Sequence, residues 1–258
     1  MTIAFVHGNP ETDTIWADLV GELADRLPLR RGTADLVLLS PPGFGASTPD
    51  VWGATRIEYR DWLVTEVEAL AADGPLDLVG HDWGAGHVFG LMSVRPDLVR
   101  SWACDCLGLV HPDYVWHDMA QLWQTPDIGE EVVAGMVART RDEQIAMMTA
   151  VGMGVAAAGD VADSIVGIAD CILPLYRSGA QPTMAGLGLE LAAADLPPGL
   201  ALDPSEDPYV GPAGRAAEMA DRLGAEHAPM DGAGHWWMCE HPAEAADLLM
   251  AFWTSLDA

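Results

Sequence analysis

The stretch Leu78-Val79-Gly80-His81-Asp82-Trp83-Gly84-Ala85-Gly86 decides how the rest of the chain is read. An apolar run of strand character ends in Gly-x-Asp-x-Gly, and helix-compatible residues follow. Small residues around the turn allow a strained strand-to-helix junction that lifts one side chain above a sheet, at the N-terminus of a helix. In that setting the raised residue is usually a serine nucleophile; here it is Asp82. The helix N-terminus and nearby N–H groups favour the ionised carboxylate. The plainer alternative is that Asp82 simply caps the helix.

Working outward, short apolar runs alternate with amphipathic stretches, the pattern of an α/β protein with a mostly parallel sheet covered by helices on both faces. Strands are expected near Ile3–Val6, Asp35–Leu39, Leu76–Val79, Ser101–Leu107, Gly199–Leu202 and Glu226–Pro229. Helices are expected over Thr14–Arg26, Arg56–Ala71, Gly84–Val94, Gly214–Leu223 and Pro242–Thr254. From about 111 to 196 the alternation stops, and the segment is helical in composition and rich in Met, Gly and Ala. This predicts a core domain of residues 1–110 and 197–258, with a helical lid, 111–196, inserted over the carboxyl ends of the strands, where open α/β sheets bind ligands. Met147, Met148, Met153 and Met184 are expected to form the pliable interior of that lid.

Composition narrows the partners. The 258 residues carry 39 Asp plus Glu against 12 Arg and no Lys, a net charge of −27. Such a surface repels nucleic acid and anionic lipid heads. Cys104, Cys106, Cys171 and Cys239 show neither a disulfide framework nor zinc spacing, and Cys104 and Cys106 are expected on one face of a strand, as buried thiols. No cofactor or metal is implied. No signal-like segment precedes Ile3 and no apolar run is long enough to span a bilayer, so the expected location is cytoplasmic; the oligomeric state is left open.

Two further segments complete a chemical set. Ala201-Leu202-Asp203-Pro204-Ser205-Glu206-Asp207-Pro208 places acids after a late strand, and Gly232-Ala233-Gly234-His235-Trp236-Trp237 places a histidine in a Gly-rich loop before the last helix. The order nucleophile, acid, histidine is that of an α/β-hydrolase triad. Near the start, His7-Gly8-Asn9-Pro10 follows the first strand, with His7 read as a structural hydrogen-bonder.

Taken in order, His-Gly-x-Pro, Gly-His-Asp-Trp-Gly and Gly-x-Gly-His-Trp resemble the epoxide hydrolase and haloalkane dehalogenase branch of the α/β-hydrolase superfamily, over roughly residues 3–107 and 199–256. The resemblance implies the α/β-hydrolase fold, Asp82 as nucleophile, His235 as base, Asp207 as orienting acid, and an oxyanion hole from the backbone N–H groups of Asn9 and Trp83. Asp105 is the alternative acid, since some dehalogenases carry theirs after the strand that follows the elbow helix. The chain begins at what is normally the third strand of the family.

A carboxylate is suited to displacing a leaving group at saturated carbon, giving an alkyl ester that a histidine-activated water then hydrolyses. Substrates implied are small apolar organic molecules, with water. The leaving group separates two readings. An epoxide oxygen needs a proton donor, and Leu173-Pro174-Leu175-Tyr176-Arg177 is similar to the segment that supplies an activating Tyr in epoxide hydrolases. A halide needs only N–H donors, and Asn9 with Trp83 resembles the halide-binding pair of dehalogenases. Tyr114, Trp116, Trp123 and Trp236 are further candidate donors or pocket walls, and Trp237 is expected to pack beside the histidine loop. The sequence reading favours opening of an epoxide to a vicinal diol, with haloalkane dehalogenation as the alternative and a non-catalytic ligand-binding relative as the rival from another class. A serine-type esterase is disfavoured by the absence of Ser from the elbow.

Overall fold

The computed structural model describes residues 2–27 and 35–257; residues 28–34 and the last residue of the expected core lie outside the described residues. Six strands, β1 (Thr2–Val6), β2 (Asp35–Leu39), β3 (Leu76–Gly80), β4 (Val99–Cys104), β5 (Gly199–Pro204) and β6 (Glu226–Met230), form one sheet. Their order is β2-β1-β3-β4-β5-β6 and every pairing is parallel. A sheet covered on both faces needs strands that are apolar throughout, and every residue of β3 is buried. Its one charge, Asp77, is compensated by the Arg100 guanidinium at 2.8 Å and the Ser101 hydroxyl at 2.5 Å.

From β1 the chain first moves to one side, through α1 (Ala17–Arg26) to β2. It then crosses back over β1, through α2 (Arg56–Leu70), to β3, and continues through α3 (Trp83–Met92) to β4. Right-handed crossovers therefore place α1 on one face and α2 and α3 on the other. Accordingly α1 packs against the C-terminal helix, while α2 packs against α3. The start of α2 is fixed by a capping box, in which the Thr55 hydroxyl and the Glu58 carboxylate each accept the other's backbone N–H. Because the chain leaves β1 and β3 in opposite directions, a crevice opens at their carboxyl ends, the place where such sheets bind ligands. Val6 stands in register with Gly80, and the His81 N–H donates to the Val6 carbonyl at 3.0 Å. The segments 7–9 and 81–82 are thereby held side by side.

Between β4 and β5 the chain makes five helices: α4 (Asp118–Gln124), α5 (Ile128–Val137), α6 (Arg141–Thr149), α7 (Val155–Ser178) and α8 (Thr183–Ala192). No strand lies among them, in keeping with the lapse of alternation after residue 111. The remaining helices are α9 (Arg215–Leu223), the short α10 (Trp237–Glu240) and α11 (Pro242–Leu256). Among the described residues no helix is long and apolar enough to cross a membrane.

Three local expectations need correction. β4 stops at Cys104 instead of running to Leu107, because Cys106 adopts a left-handed conformation (φ 53°) that no strand can accommodate, so the alternation that would put Cys104 and Cys106 on one face ends between them. The helix expected from Thr14 begins as a 3₁₀ turn over Asp13–Trp16 and becomes α-helical only at Ala17. Met147 is 45% exposed, outside the apolar interior that holds Met153 and Met184. All four cysteines are free thiols.

Candidate active site

Asp82 sits at the junction of β3 and α3 with φ 51° and ψ −123°, a conformation that L-residues rarely adopt and that costs on the order of 1–3 kcal/mol. It occupies the N-cap position, yet its carboxylate makes no capping bond. Instead Oδ1 accepts the main-chain N–H of Asn9 at 2.9 Å. Two glycines permit this approach. A Cβ on Gly8 would lie 2.3 Å from Asp82 Oδ1 and 2.6 Å from the Trp83 nitrogen, and one on Gly84 would lie 2.1 Å from the Val6 carbonyl oxygen. Burial pushes the Asp82 carboxyl up to about 6, against the opposing pull of a positive His235. The helix N-terminus alone, expected to keep this group acidic, is outweighed by the loss of water.

His235 Nδ1 is 2.8 Å from Asp207 Oδ2, and both side chains are buried. The loop after β5 holds the acid in place, because Asp207 Oδ1 also accepts the Tyr209 N–H at 2.8 Å. An Nδ1–H directed at a carboxylate leaves Nε2 as the basic nitrogen of the neutral ring. Burial by itself would make His235 less basic, but the charge and hydrogen bond of Asp207, with the charge of Asp82, raise its pKa above the ordinary imidazole value. Asp105, the alternative acid, is engaged elsewhere: the structure pairs His235 with Asp207.

Asp105 belongs to a second buried network that sequence reasoning did not assemble. Its Oδ2 bonds His81 Nδ1 and accepts the Trp237 indole N–H (2.6 Å), while Oδ1 accepts the Asp82 backbone N–H (3.0 Å). The other His81 nitrogen meets Glu11 Oε1 at 2.9 Å. Glu11 in turn accepts the Trp236 indole N–H (2.8 Å) and, through Oε2, the Gly8 backbone N–H (2.7 Å). Glu11, His81 and Asp105 are all fully buried. Burial would raise the Glu11 carboxyl, but the charge and hydrogen bond of His81 bring it down to about 2. His81, for which burial acts to lower the pKa, is raised well above its ordinary value by Asp105 and Glu11. The available signals are an acid directly after His-Gly-Asn-Pro and a histidine directly before Asp82; the histidine enters the sequence reading only as a letter of Gly-His-Asp-Trp-Gly, and neither residue belongs to the triad pattern. Trp236, expected beside the histidine loop as a donor or pocket wall, packs against the His235 ring and gives its N–H to Glu11.

Over Asp82 lies an aromatic wall. The Trp83 ring stacks on Trp116 (centroids 5.6 Å apart), and Tyr176 meets the rings of Trp83, Trp116 and Trp123 at 5.3, 5.5 and 4.7 Å. The Asn9 side-chain amide donates to the Tyr176 hydroxyl at 3.4 Å. The indole N–H groups of Trp83, Trp116 and Trp123 are buried without a partner; that of Trp83 lies near the Tyr176 hydroxyl but does not meet it in hydrogen-bond geometry. Tyr114 packs on Trp116 with ring centroids 5.2 Å apart, and its hydroxyl donates to the Tyr209 carbonyl at 2.7 Å. His7, read as structural, has Nδ1 at 3.2 Å from the Gly8 carbonyl. A cavity of about 520 Å³ reaches His235 from solvent between the turn at Thr149–Gly152 and the loops carrying Glu206, Tyr209 and Gly234.

Ligand-type atoms of Glu11, His81 and His235, and of Cys106, Asp207 and His235, approach one another closely enough to hold an ion. Both nitrogens of His81 and Nδ1 of His235 are nevertheless already engaged by carboxylates, an arrangement that orients imidazole rings.

Comparison with known proteins bears on the fold and the family. A haloalkane dehalogenase from Mesorhizobium japonicum is 31% identical over 147 residues, 51% of this chain and 42% of that protein, so the match spans about two fifths of the relative's length. A loop variant of the haloalkane dehalogenase DbeA from Bradyrhizobium elkanii superposes over 99% of this chain and 89% of its own, with a TM-score of 0.68 at 21% identity. A bromoperoxidase from Bacillus anthracis does so over 98% and 91%, with a TM-score of 0.71 at 16% identity. At such identities these likenesses speak for the fold alone. The family model for the alpha/beta hydrolase fold matches residues 2–134, half of the sequence and the part that carries the elbow, and on that ground the chain belongs to the α/β-hydrolase family.

Proposed function

We propose that the protein is a haloalkane dehalogenase, with Asp82 as nucleophile, His235 as base and Asp207 as its orienting acid. The carrying observation is the pair of side-chain donors on the residues that flank the carboxylate. The Asn9 main chain meets Asp82 Oδ1 and its side-chain amide donates to the Tyr176 hydroxyl, near which the Trp83 indole N–H, on the residue after Asp82, is buried without a hydrogen-bond partner. A buried donor without a partner costs about 1–3 kcal/mol, a cost that a leaving halide would relieve. The named activity of the Mesorhizobium relative supports the same reading.

In the first step a carboxylate oxygen of Asp82 attacks the halogen-bearing carbon. The carbon–halogen bond breaks, and the halide leaves with the bonding pair toward Asn9 and Trp83. In the second step water attacks the carbonyl carbon of the resulting ester and gives a proton to His235 Nε2. Negative charge then builds on Oδ1, where the Asn9 N–H already points; one such donor contributes about 3–4 kcal/mol. Collapse expels the alcohol, which takes the proton back from His235 and leaves Asp82 as the acid; that carboxyl then loses its proton to solvent, so one proton is released with each halide and the Asp82 carboxylate is regenerated. Asp207 steadies the imidazolium in between. The inserted helices 111–196 act as the lid, and the cavity beside His235 admits the water.

Tyr176 is the residue on which the epoxide reading depends. Burial pushes its phenol well above the ordinary value, which weakens it as an acid for a departing alkoxide. Its hydroxyl lies near enough to Asp82 and Asn9 for the test to include it. Wild-type protein should release bromide and alcohol from bromobutane, and His235→Gln should accumulate a butyl adduct on Asp82, read by intact mass and peptide mapping. Tyr176→Phe should keep more than about a tenth of the halide release, since no proton is needed by a leaving halide. Diol formation from epoxides, without bromide release from haloalkanes and abolished by Tyr176→Phe, would overturn the proposal.

A further inference from the structure

We infer that Glu11, His81 and Asp105 are positioning residues, forming a buried charged clamp that sets the oxyanion hole for the ester-hydrolysis step. The inference rests on the reading of Asp82 as nucleophile. The hydrogen bonds close a ring. Glu11 Oε2 holds the Gly8 N–H, and the next residue, Asn9, donates its N–H to Asp82 Oδ1. The backbone N–H of Asp82 is held by Asp105 Oδ1, Asp105 Oδ2 bonds His81, and His81 bonds Glu11. The loop after β1 and the elbow after β3 come from strands whose chains diverge. Beyond the strand register, this ring is what fixes the distance between them where the Asn9 donor meets the carboxylate.

The ring requires charge. Both His81 nitrogens face carboxyl oxygens; with Glu11 and Asp105 both held in the ionised form, each nitrogen must donate, and the imidazole is a cation between two anions. Trp236 and Trp237 each add an N–H to those anions, Trp16 packs edge-on at 6.2 Å, and the His235 ring lies 4.6 Å away. The side chains of Glu11, His81 and Asp105 are fully buried, so the ion pairs are little screened. None of the three side chains reaches the reacting carbon. Their influence passes through the placement of one N–H, and that donor matters most when charge develops on Oδ1, in the second step.

The test separates the two steps. Glu11→Ala and Glu11→Gln are assayed with bromobutane, following bromide release in a single turnover and ester hydrolysis by the decay of the butyl adduct. Removal of one oxyanion donor typically costs about 10²–10³-fold; Glu11→Ala should lose about that much in hydrolysis, Glu11→Gln less, while alkylation changes by under about tenfold, so that adduct accumulates. Equal slowing of both steps, or no slowing, would overturn the clamp. ¹⁵N-histidine NMR of the unmutated protein supplies a check that needs no variant to fold: one ring should remain doubly protonated at about pH 8, above the ordinary imidazole range. Neutral rings throughout would equally overturn it. His235→Gln is run alongside. If that variant forms no adduct, the nucleophile reading fails; if it forms one and the Glu11 variants do not, the clamp fails.

Discussion

A carboxylate can attack only when ionised, and Asp82 is held close to the edge of that condition by its burial. With its pKa raised to about 6, the alkylation rate should fall about tenfold per pH unit once pH drops below about 6, as the proton blocks the nucleophile. Hydrolysis of the ester depends on neutral His235, whose pKa is raised above the ordinary imidazole value of about 6.5. In the ester the Asp82 charge is gone, but Asp207, the largest contributor to the raise, remains, so the acid limb of hydrolysis is expected above that of alkylation. Between the two limbs the unmutated protein should accumulate alkyl-enzyme, measurable by quenched-flow mass spectrometry; coincident limbs would contradict the assignment of the two groups. At this scale Asp82 and His235 were legible because a short local pattern marks each. Asp207 was favoured as the acid by its place after a late strand and by the family resemblance; setting Asp105 aside was not possible from sequence, since it depends on which loop reaches His235 in space. Glu11 and His81 were missed because their meaning lies in each other, 70 residues apart.

Among the elements, α3 approaches β1 so closely that only a glycine fits at the contact. A methyl at position 84 would lie 2.1 Å from the Val6 carbonyl oxygen, so Gly84→Ala must drive the helix off the strand. Overpacking of this kind costs about 1–3 kcal/mol or more, and for a chain of this size each kcal/mol lowers Tm by about 2–4 °C. Thermal unfolding should therefore show a drop of several degrees, with loss of halide release, because Asp82 moves with the helix. Gly21, with nothing within 4 Å of an added Cβ, is the matched control, and Gly21→Ala should leave Tm unchanged or slightly raised. The alternation of strands and helices was readable from apolar periodicity, which responds to burial. The exact ends were not: β4 is cut short by the left-handed Cys106, and the 3₁₀ turn before α1 has no periodic signature.

For the molecule as a whole, 39 acids against 12 arginines leave a surplus that local pairing cannot absorb. Arginines such as Arg26, Arg95, Arg141 and Arg177 already meet carboxylates. The remaining acids repel one another, and salt screens them: the screening length falls from about 30 Å at 0.01 M to about 3 Å at 1 M. Tm should thus rise with sodium chloride over that range, by calorimetry, whereas a protein stabilised mainly by its surface ion pairs would lose stability. The sequence alone determined the parallel layered sheet, the helical insertion and the side chain raised at the strand-to-helix turn, because burial and turn strain act on neighbouring residues and leave a local imprint. Only the tertiary structure decided that Asp207 and not Asp105 meets His235, that Trp236 and Trp237 give their N–H groups to buried acids, and that Glu11, His81 and Asp105 close a ring around Asp82. Those partners come from separate loops at the point where the sheet reverses its winding, and their contacts exist only once the chain has brought the loops together.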